Sequence, residues 1–176
     1  MAALAAHFWR RAARILKHRW LDERDAARAL PEAALRRLEA TVARSERAHS
    51  GEIRVCVEAG LPLSYLWRDL RARDRAVTLF GKLRVWDTEH NNGVLIYLLL
   101  AERSIEIVAD RGLTNHVSPA QWAQIIDSMR QAFRDGHFEP GLAQAIAAVD
   151  ALLRTHFAIS DGTANPDELP NRPLML

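Results

Sequence analysis

The stretch Val94-Leu95-Ile96-Tyr97-Leu98-Leu99-Leu100-Ala101 constrains the fold more than any other part of this chain. It is continuously apolar, it is bounded by Asn92-Gly93 and Glu102-Arg103, and it is far shorter than the ~20 residues of a membrane span. A run of this kind reads as a central strand covered on both faces. Ser104 to Asp110 follows after a connection of two residues, and strands joined so closely pair antiparallel.

Upstream, Glu52-Ile53-Arg54-Val55-Cys56-Val57-Glu58 alternates strictly, which predicts a half-buried strand. Cys56 is out of phase with Ile53, Val55 and Val57, so it is expected beneath a helix on the opposite face. With no helix N-terminus or histidine placed to activate it, its thiol reads as inert. A single cysteine excludes an intramolecular disulfide framework and a multi-cysteine zinc site. A helix is predicted from Pro31 to near Ser50-Gly51, on the stripe Leu35, Leu38 and Val42. Another is predicted from Ser64 to about Leu83, on Leu66, Leu70, Val77 and Phe80. Ser118-Pro119-Ala120-Gln121 has the form of a capping box and opens a helix carrying Trp122, Ile125, Ile126, Met129 and Phe133. The last helix runs from Glu139-Pro140 to about Phe157.

Strands alternating with long helices predict an α/β sandwich, a small mixed sheet with helices on both faces, over residues 31–159. Sites in such sheets gather in loops beyond the strand ends, here Trp86 to Gly93 and Asp110 to Ser118. Residues 160–176, with Pro166, Pro170 and Pro173, are expected as a flexible C-terminal tail.

Residues 1–30 stand apart. They hold seven basic and three acidic residues, a net +4 in a chain whose total is +2, so the remainder is slightly acidic. Phe8, Ala12, Ile15 and Arg19, with Trp9, Ala13, Leu16 and Trp20 one position later, make a broad amphipathic stripe, and Arg10, Arg14 and Lys17 fall on the other side. Three occupants remain open for the apolar face, through residues 4–20: the chain's own domain, an anionic membrane surface or other partner, and a second copy of the chain. Arg10, Arg11 and Arg14 interrupt any secretory signal. Nucleic acid is excluded as a partner, because the body lacks a basic stripe with interleaved aromatics.

Taken in order, Ser50-Gly51-Glu52-Ile53-Arg54-Val55, then His90-Asn91-Asn92-Gly93-Val94-Leu95-Ile96, then Ile105-Glu106-Ile107-Val108-Ala109-Asp110-Arg111-Gly112-Leu113 resemble the TPM domain, as does Phe133 to Leu142. The resemblance covers Leu35 to Phe157. It implies a Rossmann-like α/β/α sandwich, here with extra N-terminal helices. Relatives include thylakoid proteins of photosystem II repair and a membrane-tethered modulator of acetylcholine receptors, and acid-phosphatase activity and divalent-cation binding are attributed to some of them. The family's Gly-Leu-Glu-Gly and following helical aspartate correspond here to Gly112-Leu113-Thr114-Asn115 and Pro119, so two carboxylates of the pattern are missing. Many relatives carry a signal peptide and a membrane anchor; the chain resembles a cytosolic branch with neither.

Two readings of function follow. The first is a non-catalytic binding or scaffold module, cytoplasmic and peripheral to the membrane, that requires no cofactor. The second is a divalent-cation-dependent acid phosphatase holding weakly bound calcium or magnesium through Asp87, Glu89 and Asp110, with Asn91 and Asn92 as neutral ligands. His90 and His116 are candidates for acid, base or ligand roles. Arg111 is placed to clamp a phosphate, or to pair with Asp87 or Glu89. Asp87 and Asn92 equally fit turn residues that bond their own loop.

Overall fold

In the computed structural model, which describes residues 2–160 and 166–176 and side chains from Trp9 onward except Glu23, β1 (Ile53–Glu58) and β2 (Val94–Leu99) run parallel at the centre of a four-stranded sheet. Ile53 lies beside Val94 and Glu58 beside Leu99. β3 (Ser104–Ala109) returns antiparallel along β2, as the short connection requires, with Val94 opposite Ala109. The apolar run leaves the sheet after Leu99, and Leu100–Glu102 form a 3-10 turn closed by Arg103 at φ 49. The fourth strand, β4 (Leu174–Met175), pairs parallel with β1 on the outer side.

Helices cover both faces. Ile53, Val55, Val57, Ile96 and Leu98 pack with α2 (Glu23–Ala29), α3 (Glu32–Ser45), α7 (Pro119–Arg134) and α8 (Phe138–Phe157). Cys56, Leu95, Tyr97 and Leu99 pack with α4 (Leu63–Trp67), α5 (Ala72–Lys82) and Ile15 of α1 (Ala2–Trp20). α6 (Arg111–Thr114) is one short turn after β3. Cys56 is fully buried on the face opposite Ile53, and burial pushes its thiol up to about 12, which keeps it protonated and inert. The Ser118 capping box forms as predicted.

Three sequence expectations change. The helix predicted over 64–83 divides, because Asp69 adopts φ 54 and the Asp74 carboxylate accepts the Arg71 amide proton at 2.7 Å, starting a new helix. β1 is buried along both faces, not one, and its charged residues are satisfied internally. Glu58 accepts a 2.6 Å hydrogen bond from Tyr97 Oη and a forked pair from Arg75 Nε and Nη2 at 2.9 and 2.6 Å, while burial and the adjacent Glu58 raise the Tyr97 pKa. Arg54 donates to the carbonyls of Pro170 and Arg172 at 2.6 and 2.5 Å. The third change follows from the second: of the expected flexible tail, 166–176 is docked. Leu169 is buried, Leu176 N–H donates to Val57 O at 2.9 Å, and Arg172 pairs with Glu32 at 2.7 Å. Asp161–Asn165, the first part of that tail, lies outside the described residues.

α1 and α2 are separate helices, since Asp22 caps the second in a reciprocal capping box with Asp25. α1 docks by its polar side. Arg14 donates to Glu102 Oε1 at 2.8 Å and to Leu70 O at 2.7 Å, and Arg11 donates to Trp67 O at 2.7 Å. The buried His18 accepts the Leu61 amide proton at Nδ1 (3.0 Å) and so offers its Nε2 proton to Glu102 at 3.1 Å.

These bonds, His18 first and then Arg14, hold the Glu102 carboxyl down at about 2. A carboxylate depressed in the folded state stabilises it fully above the unfolded pKa of ~4.3 and ceases to do so as pH falls toward the folded value. The thermal midpoint of the native chain should therefore exceed that of Glu102→Gln above about pH 4.5. That gap should close toward pH 2, and a gap independent of pH would show that Glu102 contributes through packing alone.

Candidate functional site

The parallel direction of β1 and β2 decides which loops share an edge. Both candidate loops lie at the amino ends of these strands, because β3 carries the chain back to where β2 began: Asp110 N–H donates to Gly93 O at 2.9 Å and Gly112 N–H to Asn91 O at 2.9 Å. Both glycines are demanded by this approach. A side chain on Gly93 would collide with the Val85 carbonyl, and one on Gly112 with that of Asn91. Asn91 itself sits at φ 52.

Within this edge most predicted site residues have structural partners. Asn92 is fully buried, donating from Nδ2 to Ser50 Oγ at 3.1 Å while its amide donates to Thr88 Oγ1 at 3.1 Å. Asn91 Oδ1 accepts from Arg111 Nη2 and Nε at 3.1 and 3.3 Å, so Arg111 meets Asn91 where pairing with Asp87 or Glu89 was expected. Asp87 pairs with Arg84 at 2.8 Å. Glu89 and His90 are exposed, and the Glu89 amide faces the Glu168 carboxylate at 3.1 Å. Asp110 caps α6 by accepting the Arg111 amide proton at 2.6 Å, leaving its Oδ2 buried without a hydrogen bond. His116 stacks on His156 of α8, ring centres 4.7 Å apart. The structure thus brings Asn91, Arg111 and Asp110 together, and directs Asp87, Glu89 and His116 to other neighbours.

Among the described residues the carboxylates that do converge are Glu46, Glu52 and Asp167, each with an oxygen within 4.8 Å of the others. Burial pushes Glu46 up to about 8, against the pull of the Ile53 amide, and Glu52 up to about 7. Sequence reasoning missed this group. Glu52 was visible as a polar position of an alternating strand, but nothing in the sequence showed that the far C-terminal segment closes over it.

A buried Ser45-His49-Asp150 cluster invites comparison with a nucleophilic triad and does not work as one. The Ser45 hydroxyl donates its proton to Asp150 Oδ1 at 2.6 Å and so accepts from His49 Nε2 at 2.9 Å, the reverse of the direction that activates a serine. Ser45 and His49 are buried, burial lowers the His49 pKa, and the cluster fastens α3 to α8. At the opposite, carboxyl edge of the parallel strands, where open α/β sheets place ligands, the end of α1 intrudes. A side chain on Gly60 would strike the His18 carbonyl, and an open groove of about 480 Å³ remains between His18, Asp22, Leu61 and Leu176.

The outward side of α1 is the other candidate. Trp9, Leu16 and Trp20 are 70%, 59% and 84% exposed, and Trp67 on the abutting α4 is 72% exposed. Helical geometry places Trp9, Ala13, Leu16 and Trp20 directly opposite Arg11, Arg14 and His18, with Arg10 and Lys17 along one flank and Arg19 along the other. The amphipathic stripe is real, then, but its Trp-bearing side faces away from the domain.

A mixed four-stranded sheet between helical layers, with an Asn-Asn-Gly loop against Gly112-Leu113 at its amino edge, defines an α/β/α sandwich of a particular kind. The TPM domain family model matches residues 24–152, and the chain belongs to that family. It is similar to the BA42 protein of the psychrophilic bacterium Bizionia argentinensis, with 27% identity and a TM-score of 0.72 over 83% of this chain and 94% of that one. The N-terminal domain of a protein from P. gingivalis shares the fold, at 22% identity and a TM-score of 0.59 over 73% of this chain and 78% of that one. No curated protein matches the sequence.

The two loop aspartate and asparagine positions should separate in a urea titration. Asn92→Ala removes the buried amide that bonds the half-buried Ser50 hydroxyl and the buried Thr88 hydroxyl and should cost about 1–3 kcal/mol. Asp87→Ala breaks one surface ion pair and should change stability by less than about 1 kcal/mol.

Proposed function

We propose that this TPM-domain protein is a non-catalytic binding module that rests on an anionic membrane surface, at the cytoplasmic leaflet, through the outward side of α1. One observation carries the reading: α1 is held to its domain by Arg11, Arg14 and His18, so the apolar stripe of Trp9, Leu16 and Trp20 is presented outward between Arg10, Lys17 and Arg19. Tryptophan suits the boundary between headgroups and acyl chains, and flanking cations suit anionic lipid. No helix among the described residues is long and apolar enough to cross a membrane. A cation-dependent phosphatase built on Asp87, Glu89 and Asp110 has less support, because Asp87 is drawn to Arg84 and Asp110 to the start of α6.

Co-sedimentation with vesicles tests this. The chain should bind phosphatidylcholine vesicles containing phosphatidylglycerol, bind pure phosphatidylcholine weakly, and lose affinity as salt rises. Replacing Trp9, Leu16 and Trp20 with alanine should weaken binding by about tenfold or more without loss of fold, since all three are exposed. Equal sedimentation of the native and substituted chains would overturn the proposal. So would concentration-dependent dimerisation abolished by the same substitutions, with no vesicle binding, which would give the face to a second copy.

A further inference from the structure

We propose that the open edge of β3 is a docking site for an extended segment of another protein, one that alternates apolar and polar side chains and carries a carboxylate beside Ser104. The site lies at the opposite edge of the sheet from β4. It is independent of the membrane reading.

The strand register fixes which backbone groups are left over. β3 ends the sheet, with β2 on its inner side. Asp110 N–H donates to Gly93 O, so in the alternating antiparallel pattern Ser104, Glu106 and Val108 exchange bonds with β2, whereas Ile105, Ile107 and Ala109 direct theirs outward. Arg73 Nη1 meets the outward Ile107 carbonyl at 2.5 Å, which agrees with that phase. The Ile105 amide and carbonyl and the Ile107 and Ala109 amides have no protein partner among the described residues. An end strand of six residues, in unbroken register and without proline, is a template for a further strand.

The space beside this edge suits one strand. Two grooves of about 570 and 430 Å³ lie between β3 and α7 and share Glu106, Ala123 and Ile126. Trp122 and Ile126 are half-buried and Ala123 is exposed, so side chains opposite Ile105 and Ile107 would meet apolar surface. On the other face the alternate side chains would meet Arg73 and Glu106, themselves 3.8 Å apart, which favours polar residues there. At the Ser104 end the charges are unbalanced. Asp127 pairs with Arg130 at 3.0 Å and Glu102 with Arg14 and His18, while Arg103 and Arg134 have no acidic partner among the described residues. The Ser104 Oγ is buried nearby without a hydrogen bond. Two unneutralised guanidinium groups and a spare hydroxyl select a carboxylate. A second copy of the chain fits less well, because it would bring its own α5 and α7 to an edge these helices already flank. A lone segment adds only the ~4.7–4.9 Å width of one strand.

Titration of the full chain, followed by NMR, with two capped peptides of about ten residues is the test. Both alternate valine and threonine; one carries two aspartates at its carboxyl end, the other at its amino end. One of the two should bind saturably, which also gives the direction of pairing, and should slow hydrogen exchange at the Ile105 and Ile107 amides. Lysines in place of the aspartates, or Arg134→Glu, should weaken binding by about tenfold or more. Ala123→Arg should abolish it by filling the groove. Residues 123 and 134 are exposed on α7, so neither substitution disturbs the core. Alanines at Trp9, Leu16 and Trp20 should leave peptide binding unchanged, which separates this site from the membrane face. No saturable binding of either peptide below about 1 mM would overturn the proposal. So would binding that persists in Ala123→Arg, or that leaves exchange at Ile105 and Ile107 unaltered. Dimerisation abolished by Ala123→Arg, without peptide binding, would give the edge to a second copy and overturn it equally.

Discussion

Enclosure of the parallel β1–β2 pair on both faces is the constraint from which the rest of this structure follows. A strand sealed above and below can carry polar residues only if each finds its partner inside the protein. β1 carries two and is preceded by a third. Glu58 is answered by Tyr97 from the neighbouring strand and Arg75 from α5, and Arg54 by two carbonyls of the C-terminal segment. Glu52 is answered in part, by the Leu169 amide. The last ten or so residues are therefore part of the sheet's cover.

The same logic sets the attitude of α1. An amphipathic helix ordinarily turns its apolar side inward, yet here the acceptors at the carboxyl edge of the sheet, Glu102 and the carbonyls near Trp67 and Leu70, select the side that carries Arg11, Arg14 and His18. Charge-assisted bonds to a partly buried carboxylate prevail over burial of the tryptophans. In consequence a domain that would otherwise cover its aromatic stripe displays it.

Much of the fold was legible in the chain. Val94 to Leu99 announced a central strand by being apolar at every position, and the short link at Glu102-Arg103 dictated the antiparallel return that brings Asp110 back to Gly93. The family motif was legible too, and its glycines proved to be packing requirements. The site was less so. Asp87, Glu89 and His116 were grouped because they occupy loops at one edge, but sharing an edge is weaker than sharing a centre. Asp87 found Arg84 three residues back, and His116 found His156 on α8.

What this sequence determined by itself is the set of local preferences: which segments extend, which coil, where the chain reverses, and that Cys56 lies under a helix as an inert thiol. These follow from periods of two and 3.6 residues and from turn chemistry, which act over a few neighbours. Only the tertiary structure decided which face of α1 turns outward, that residues 166–176 close over β1, and that Glu46, Glu52 and Asp167 meet. Each of those outcomes depends on contacts between residues far apart along the chain, and no local pattern encodes them.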